Sequence, residues 1–120
     1  VKIMIVDDST AMRMIVRRTL RLAGFTGHEY TESEDGAQAL AAIKASPPDM
    51  VLCDWNMPNM TGIELLENLT QAGIKLKFGF ITTEATAEMR ARAKEAGACV
   101  LVAKPFTPES FKAAFAEYIT

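Results

Sequence analysis

The sequence is poor in histidine and cysteine: His28 stands alone, and Cys53 and Cys99 are the two thiols. A single imidazole leaves no His cluster for a metal. It also argues against a Ser-His-Asp or Cys-His nucleophile, the more so because His28 falls near a weak edge strand. CxxC, HExxH, GxGxxG and Walker A patterns are missing, so zinc, dinucleotide and nucleotide sites are not indicated. Both cysteines lie in apolar runs, Met50–Cys53 and Ala98–Val102, where a thiol behaves as a small buried hydrophobe. Two reduced thiols and a reducing cytoplasm are expected.

Neither sign of charge dominates. The 13 basic and 15 acidic side chains leave a net charge of -2, which gives no electrostatic reason to bind nucleic acid or an anionic membrane. No apolar run approaches the roughly 20 residues that span a bilayer. A basic n-region and a small-residue cleavage site are missing, so no secretory signal is expected; Val1 in place of an initiator Met suggests N-terminal trimming. There is no linker, repeat or low-complexity stretch. What remains is 120 residues, 49% hydrophobic and 23% charged, read as one domain over residues 1–120. A domain of this size buries roughly two-thirds of its unfolded surface and needs no disulfide or metal to fold.

Short apolar runs alternate with helical patterns. Ile3–Val6 is continuously apolar, as a strand buried on both faces should be. Thr10 is placed to N-cap a helix with Met12, Ile15, Val16, Leu20 and Ala23 inward, Arg13, Arg17, Arg18 and Arg21 on a solvated face, and Gly24 as its stop. Glu29–Ser33 reads as an edge strand and Gly36–Ala45 as a helix broken by Pro47 and Pro48. Met50–Cys53, the most apolar run, reads as the central strand. Gly62–Ala72 is helical, Phe78–Ile81 a strand, and Ala85–Ala96 a helix with only Met89 large enough to bury. Val100–Val102 is the fifth strand, and Thr107 with Pro108 opens a last helix over 108–119. Such alternation with short loops predicts an α/β fold: five parallel strands, doubly wound, with five helices on both faces.

In open α/β sheets the functional crevice lies beyond the carboxyl ends of the strands. The residues that follow the strands here are Asp7 and Asp8; Asp54, Trp55 and Asn56; Thr82 and Thr83; and Ala103, Lys104 and Pro105. Three converging carboxylates repel unless a cation sits among them, and an all-oxygen donor set with room for water suits Mg²⁺. Asp54 is poorly placed as a helix cap, because Pro58 lies just beyond it and no helix is expected before Gly62. A carboxylate beside a divalent cation and an ammonium can attack a phosphoryl group. The residue types therefore predict a Mg²⁺-dependent phosphoryl site with Asp54 as the favoured acceptor.

These residues resemble, over essentially the whole chain, the receiver domain of bacterial two-component response regulators, most of all its single-domain chemotaxis type. The matching segments are Asp7-Asp8 with Thr10–Arg13, Glu34-Asp35-Gly36, the run Asp54–Gly62, Thr82, Glu84 and Lys104-Pro105-Phe106. The resemblance implies the flavodoxin-like strand order 2-1-3-4-5 and a signalling switch rather than an enzyme, although such domains assist their own phosphorylation and autodephosphorylation. It implies that Asp54 takes the phosphoryl group from a phosphohistidine of a sensor kinase. Asp8, Asp54 and the backbone carbonyl of Asn56 would hold Mg²⁺, with Asp7 acting through water. Lys104 would contact the phosphoryl group, Thr82 would move inward, and Lys104-Pro105 would be cis. Asn56 and Glu84 match positions that tune dephosphorylation. The implied partner surface is helix 85–96, strand 100–102 and helix 108–119, offered to a flagellar switch or another protein target, with a phosphatase as a further partner. A monomer is expected.

Three departures stand out. Leu101 occupies a position where the family usually has Tyr or Phe, and Thr83 one where a smaller residue is usual. The segment from Gly24 to Ser33 looks about two residues longer than the family pattern. Three other readings compete. A receiver excised from a longer regulator would carry the same residues. A pseudo-receiver would be expected to lose an acid or the Lys. A haloacid-dehalogenase-type phosphatase would need Asp-x-Asp after the first strand and room for a cap.

Overall fold

The computed structural model describes residues 1–119 and alternates strand and helix throughout. The strands are β1 (Lys2–Val6), β2 (Glu29–Ser33), β3 (Met50–Cys53), β4 (Lys77–Thr82) and β5 (Val100–Ala103). The helices are α1 (Thr10–Leu22), α2 (Gly36–Ala45), α3 (Gly62–Gln71), α4 (Ala87–Ala96) and α5 (Pro108–Phe115). All pairings are parallel and the order is β2-β1-β3-β4-β5, so β3 is central and β2 lies at an edge, as the sequence predicts.

Side chains of one strand alternate between two cores, because successive residues face opposite sides of a sheet. Met4, Val6, Val51, Cys53, Phe78 and Phe80 pack with Ile43, Leu65, Leu66 and Leu69 on one side. Ile3, Ile5, Leu52, Ile81 and Val102 pack with Val16, Leu20, Phe111 and Phe115 on the other. Thus α1 and α5 cover one face and α2, α3 and α4 the other. Both cysteines are free thiols; Cys53 is buried and Cys99 partly so. No helix of the described residues is long and apolar enough to cross a membrane.

Local chemistry sets the helix ends. The Thr61 hydroxyl accepts the Glu64 N–H while the Glu64 carboxylate accepts the Thr61 N–H, a reciprocal cap on α3. Thr107 and Ser110 do the same on α5, with Pro108 at its first turn. Gly24, at φ 99°, lets the chain leave α1 in a left-handed turn.

Four boundary or facing expectations are corrected. Ser9, not Thr10, caps α1: its Oγ accepts the Met12 N–H at 3.1 Å. Helix α4 begins at Ala87 rather than Ala85, because the Thr86 side chain accepts the Met89 N–H and fixes the start there. Helix α5 ends at Phe115, and the chain turns before Ile119 tucks into the core. On α1, Ile15 is 47% exposed while Arg13 is only 7% exposed, the reverse of the amphipathic reading. Arg13 is drawn in by Glu32 and the Asp7 carbonyl, which lie outside its helix, together with Thr10 on the helix itself.

Helix α4 buries only Ala93, whereas α5 buries two large side chains, Phe111 and Phe115. An element with so little buried apolar surface opens at low free energy. Amide exchange in α4 is expected to run faster than in α5; equal protection of the two helices would contradict this.

Candidate functional site

The carboxyl ends of β1, β3 and β5 bring Asp7, Asp8, Asp54 and Lys104 together. A carboxylate oxygen from each of the three acids lies within 4.8 Å of the others. Asp7 is buried, and its Oδ1 accepts the Ser9 N–H at 2.9 Å. Asp54 follows the central strand, and its Oδ1 accepts the N–H of Trp55 at 2.8 Å. Lys104 reaches in from the far side: Nζ lies 3.4 Å from Asp7 Oδ2 and 3.5 Å from Asp54 Oδ2. Among the described residues no Lys or Arg comes within ion-pair distance of Asp8, which faces solvent.

Three carboxylates against one ammonium leave this pocket acidic. Burial raises the Asp54 carboxyl above the ordinary carboxylate range; the Lys104 charge opposes that rise and the Asp7 charge adds to it. Hard oxygen donors with net negative charge, one of them open to water, fit a divalent cation such as Mg²⁺.

Thr82, the last residue of β4, is fully buried. Its hydroxyl accepts the Glu84 N–H at 3.4 Å, and its carbonyl accepts the Lys104 N–H at 2.7 Å, tying the ends of β4 and β5 together. The Lys104–Pro105 bond is cis. Asn56, Thr83 and Glu84 are exposed on the loops at the same edge of the sheet. Leu101 pairs in register with Phe80, is half-buried, and packs against the core on the α4 side.

Supports to which the sequence reading assigns no role hold these groups. The buried Arg13 donates from Nη1 to the Asp7 carbonyl at 2.6 Å and from Nε to Glu32 at 2.9 Å. Its guanidinium thereby fixes the backbone that carries the first acid. Asp35 caps α2 and accepts from the Asn59 side chain. Gly62 packs so closely under Asp54 that a side chain there would overlap the Asp54 carbonyl oxygen. Only Asp35 had a local signal, an acid three residues before Gln38 at the start of a helical pattern.

The family model described as "Response regulator receiver domain" matches residues 3–116. The chain is 43% identical over 114 residues to chemotaxis protein CheY-3 of Vibrio cholerae, covering 92% of this chain and 85% of that protein. It is 40% identical over 114 residues to chemotaxis protein CheY of Pseudomonas aeruginosa, covering 92% and 90%. Among solved structures, chemotaxis protein CheY4 of Vibrio cholerae superposes with a TM-score of 0.84 at 34% identity, over 98% of this chain and 97% of that one. Strand order, a family match over residues 3–116 and 43% identity to a chemotaxis protein agree, and the chain belongs to the response regulator receiver domain family as a CheY-like member.

Proposed function

We propose that residues 1–120 act as one receiver unit, a switch thrown when Asp54 takes a phosphoryl group from the phosphohistidine of a sensor kinase. The observation that carries the reading is the convergence of three carboxylates on one edge, with Lys104 within 3.5 Å of two of them. An Asp54 carboxylate oxygen attacks phosphorus and forms the new P–O bond. The P–N bond to the donor imidazole breaks, and its electron pair returns to the ring nitrogen. Lys104 lies where it can balance charge on the transferring oxygens. A Mg²⁺ ion held by Asp8, Asp54 and the Asn56 carbonyl, with Asp7 acting through water, would neutralise phosphoryl charge when bound. Reversal is hydrolytic: water attacks phosphorus and frees the Asp54 carboxylate. Asn56 and Glu84, exposed at the rim, sit where they can tune that water's approach. Thr83, also exposed, adds bulk where a donor must enter.

Output follows from Thr82 moving toward the phosphoryl oxygens and relaxing the link between β4 and the loosely anchored α4. The surface offered is α4, β5 and α5. The target in this reading is a flagellar switch, with a phosphatase as a further partner; the chemotaxis names of the relatives support a role in chemotaxis. Incubation with acetyl phosphate and Mg²⁺ should add one phosphoryl group by intact mass; a wild-type chain that stays unlabelled would sink the proposal.

Neutralising Asp8 should weaken Mg²⁺ binding, read as Trp55 fluorescence, by about tenfold or more. The same Asp8→Asn change relieves carboxylate repulsion and should raise the melting temperature of the metal-free chain. An unchanged Mg²⁺ titration would remove Asp8 from the site.

Leu101 offers only an apolar branched surface where an aromatic ring is usual, so its contribution to the output face is limited to packing. Leu101→Ala should leave labelling of Asp54 nearly intact and reduce target binding modestly. Comparing the free and beryllofluoride-bound forms, α4 should shift as backbone. A Leu101 side chain that changes rotamer while α4 stays still would refute this.

A further inference from the structure

The end of β2 and the turn into α2 contribute no carboxylate to the acid cluster, yet residues 32–36 brace both loops that do. On the β1 side, the Ser33 carbonyl accepts the Asp7 N–H at 3.2 Å, and Glu32 holds Arg13 against the Asp7 carbonyl. On the β3 side, Asp35 Oδ2 accepts the Asn59 Nδ2–H at 3.0 Å while Oδ1 accepts the Gln38 N–H at 2.8 Å. Asp35 is 8% exposed, and the neighbouring Gly36 lies so close to Met60 that a Cβ there would sit 2.7 Å from the Met60 carbonyl oxygen.

The loop between β3 and α3 carries both Asp54 and Asn56. Its near end is fixed by the Asp54 N–H to the Val6 carbonyl at 2.9 Å, and its far end by the Gly62 N–H to the Trp55 carbonyl at 2.8 Å. Between those ends Asn59 adopts φ 66°, a left-handed conformation that Asn tolerates better than most residues but that still costs free energy. The hydrogen bond from Asn59 to Asp35 holds the loop there from outside.

We propose that Asp35 is a positioning residue for the phosphorylation site, fixing through Asn59 the loop that presents Asp54 and the Asn56 carbonyl. The inference rests on the reading of those two residues given above. Its effect is on geometry: a carbonyl displaced by a fraction of an ångström is a poorer cation ligand and leaves Asp54 less well aimed.

Two substitutions remove the same bond in different ways. Asp35→Ser keeps a cap for the Gln38 N–H but is too short to reach Asn59. Asn59→Gly keeps the left-handed backbone and deletes the amide. Each should weaken Mg²⁺ binding, followed by Trp55 fluorescence, about tenfold, and should slow labelling by acetyl phosphate. The double variant should lose no more than either single one. Asp35→Asn should restore affinity, because its amide can donate to the Asn59 oxygen while its own oxygen still caps α2. Thermal melts separate positioning from unfolding: affinity should fall in chains still folded at the assay temperature. Wild-type affinity in both single variants, losses that multiply in the double, or failure of Asp35→Asn to restore binding would overturn the proposal. Those outcomes leave the acceptor reading intact if the wild type labels; a wild-type chain that neither binds Mg²⁺ nor labels overturns both.

Discussion

Asp54→Asn is expected to abolish labelling by acetyl phosphate and, in metal-free solution at neutral pH, to raise the melting temperature. The first effect follows from losing the nucleophilic carboxylate; an amide oxygen is too weak a nucleophile to replace it. The second follows from burial. The Asp54 carboxyl is raised mainly by desolvation, with Lys104 opposing and Asp7 reinforcing the rise. A carboxyl whose folded pKa lies above its unfolded one contributes stability that is present in full below the unfolded pKa. That contribution is lost as pH rises through the folded pKa. At neutral pH the wild type therefore carries an ionised group that folding disfavours, and the isosteric Asn does not. The gap between the two melting temperatures should narrow as pH falls below about 4, the ordinary range for an unfolded Asp. A variant that labels at the wild-type rate contradicts the assignment; one that melts lower at neutral pH contradicts the electrostatic argument.

Gly62→Ala should be among the most damaging single-methyl changes in the chain. Gly62 opens α3, and its N–H closes the loop onto the Trp55 carbonyl at 2.8 Å. An added Cβ would overlap the Asp54 carbonyl oxygen and lie 2.9 Å from Phe80 Cε1. Neither neighbour has slack: the oxygen belongs to the backbone, and the Phe80 ring is buried against Trp55 with centroids 4.8 Å apart. Either α3 backs away from the sheet or Asp54 moves. Overpacking of this kind costs about 1–3 kcal/mol or more, so a lower denaturation midpoint is expected. Labelling should also slow, because the displaced backbone carries the acceptor. An unchanged midpoint together with unchanged labelling would show that the loop adapts freely.

The sequence was most legible where a single physical rule governs a segment. Continuous apolar runs at Ile3–Val6 and Met50–Cys53 could only be strands covered on both faces, and both are buried as such. Gly36–Ala45 needed no tertiary information, since its Ala-rich run with Leu40 and Ile43 inward and the paired prolines beyond it suffice. The three acids and Lys104 were legible because residues following parallel strands must meet at one edge. What was missed depends on distant partners. Arg13 looks like one more surface arginine until Glu32, 19 residues away on an edge strand, draws it inward. Ile15 looks inward by spacing, yet α1 turns Val16, Thr19 and Leu20 toward the sheet and leaves Ile15 outside. Asn59 has no periodicity to betray it, and its role exists only because α2 begins beside it. The starts of α1 and α4 shifted by a residue or two because Ser9 and Thr86 cap them.

The most direct test of the central claim is to trap the modified chain chemically. An aspartyl phosphate is an acyl phosphate, so borohydride reduces its acyl carbon and leaves the side chain of homoserine with loss of phosphate. The wild-type chain, incubated with acetyl phosphate and Mg²⁺ and then reduced, should show that change at residue 54 alone when its peptides are sequenced by mass spectrometry. Reduction found instead at Asp7 or Asp8, or at no residue while the intact chain still gains phosphate, would contradict the account.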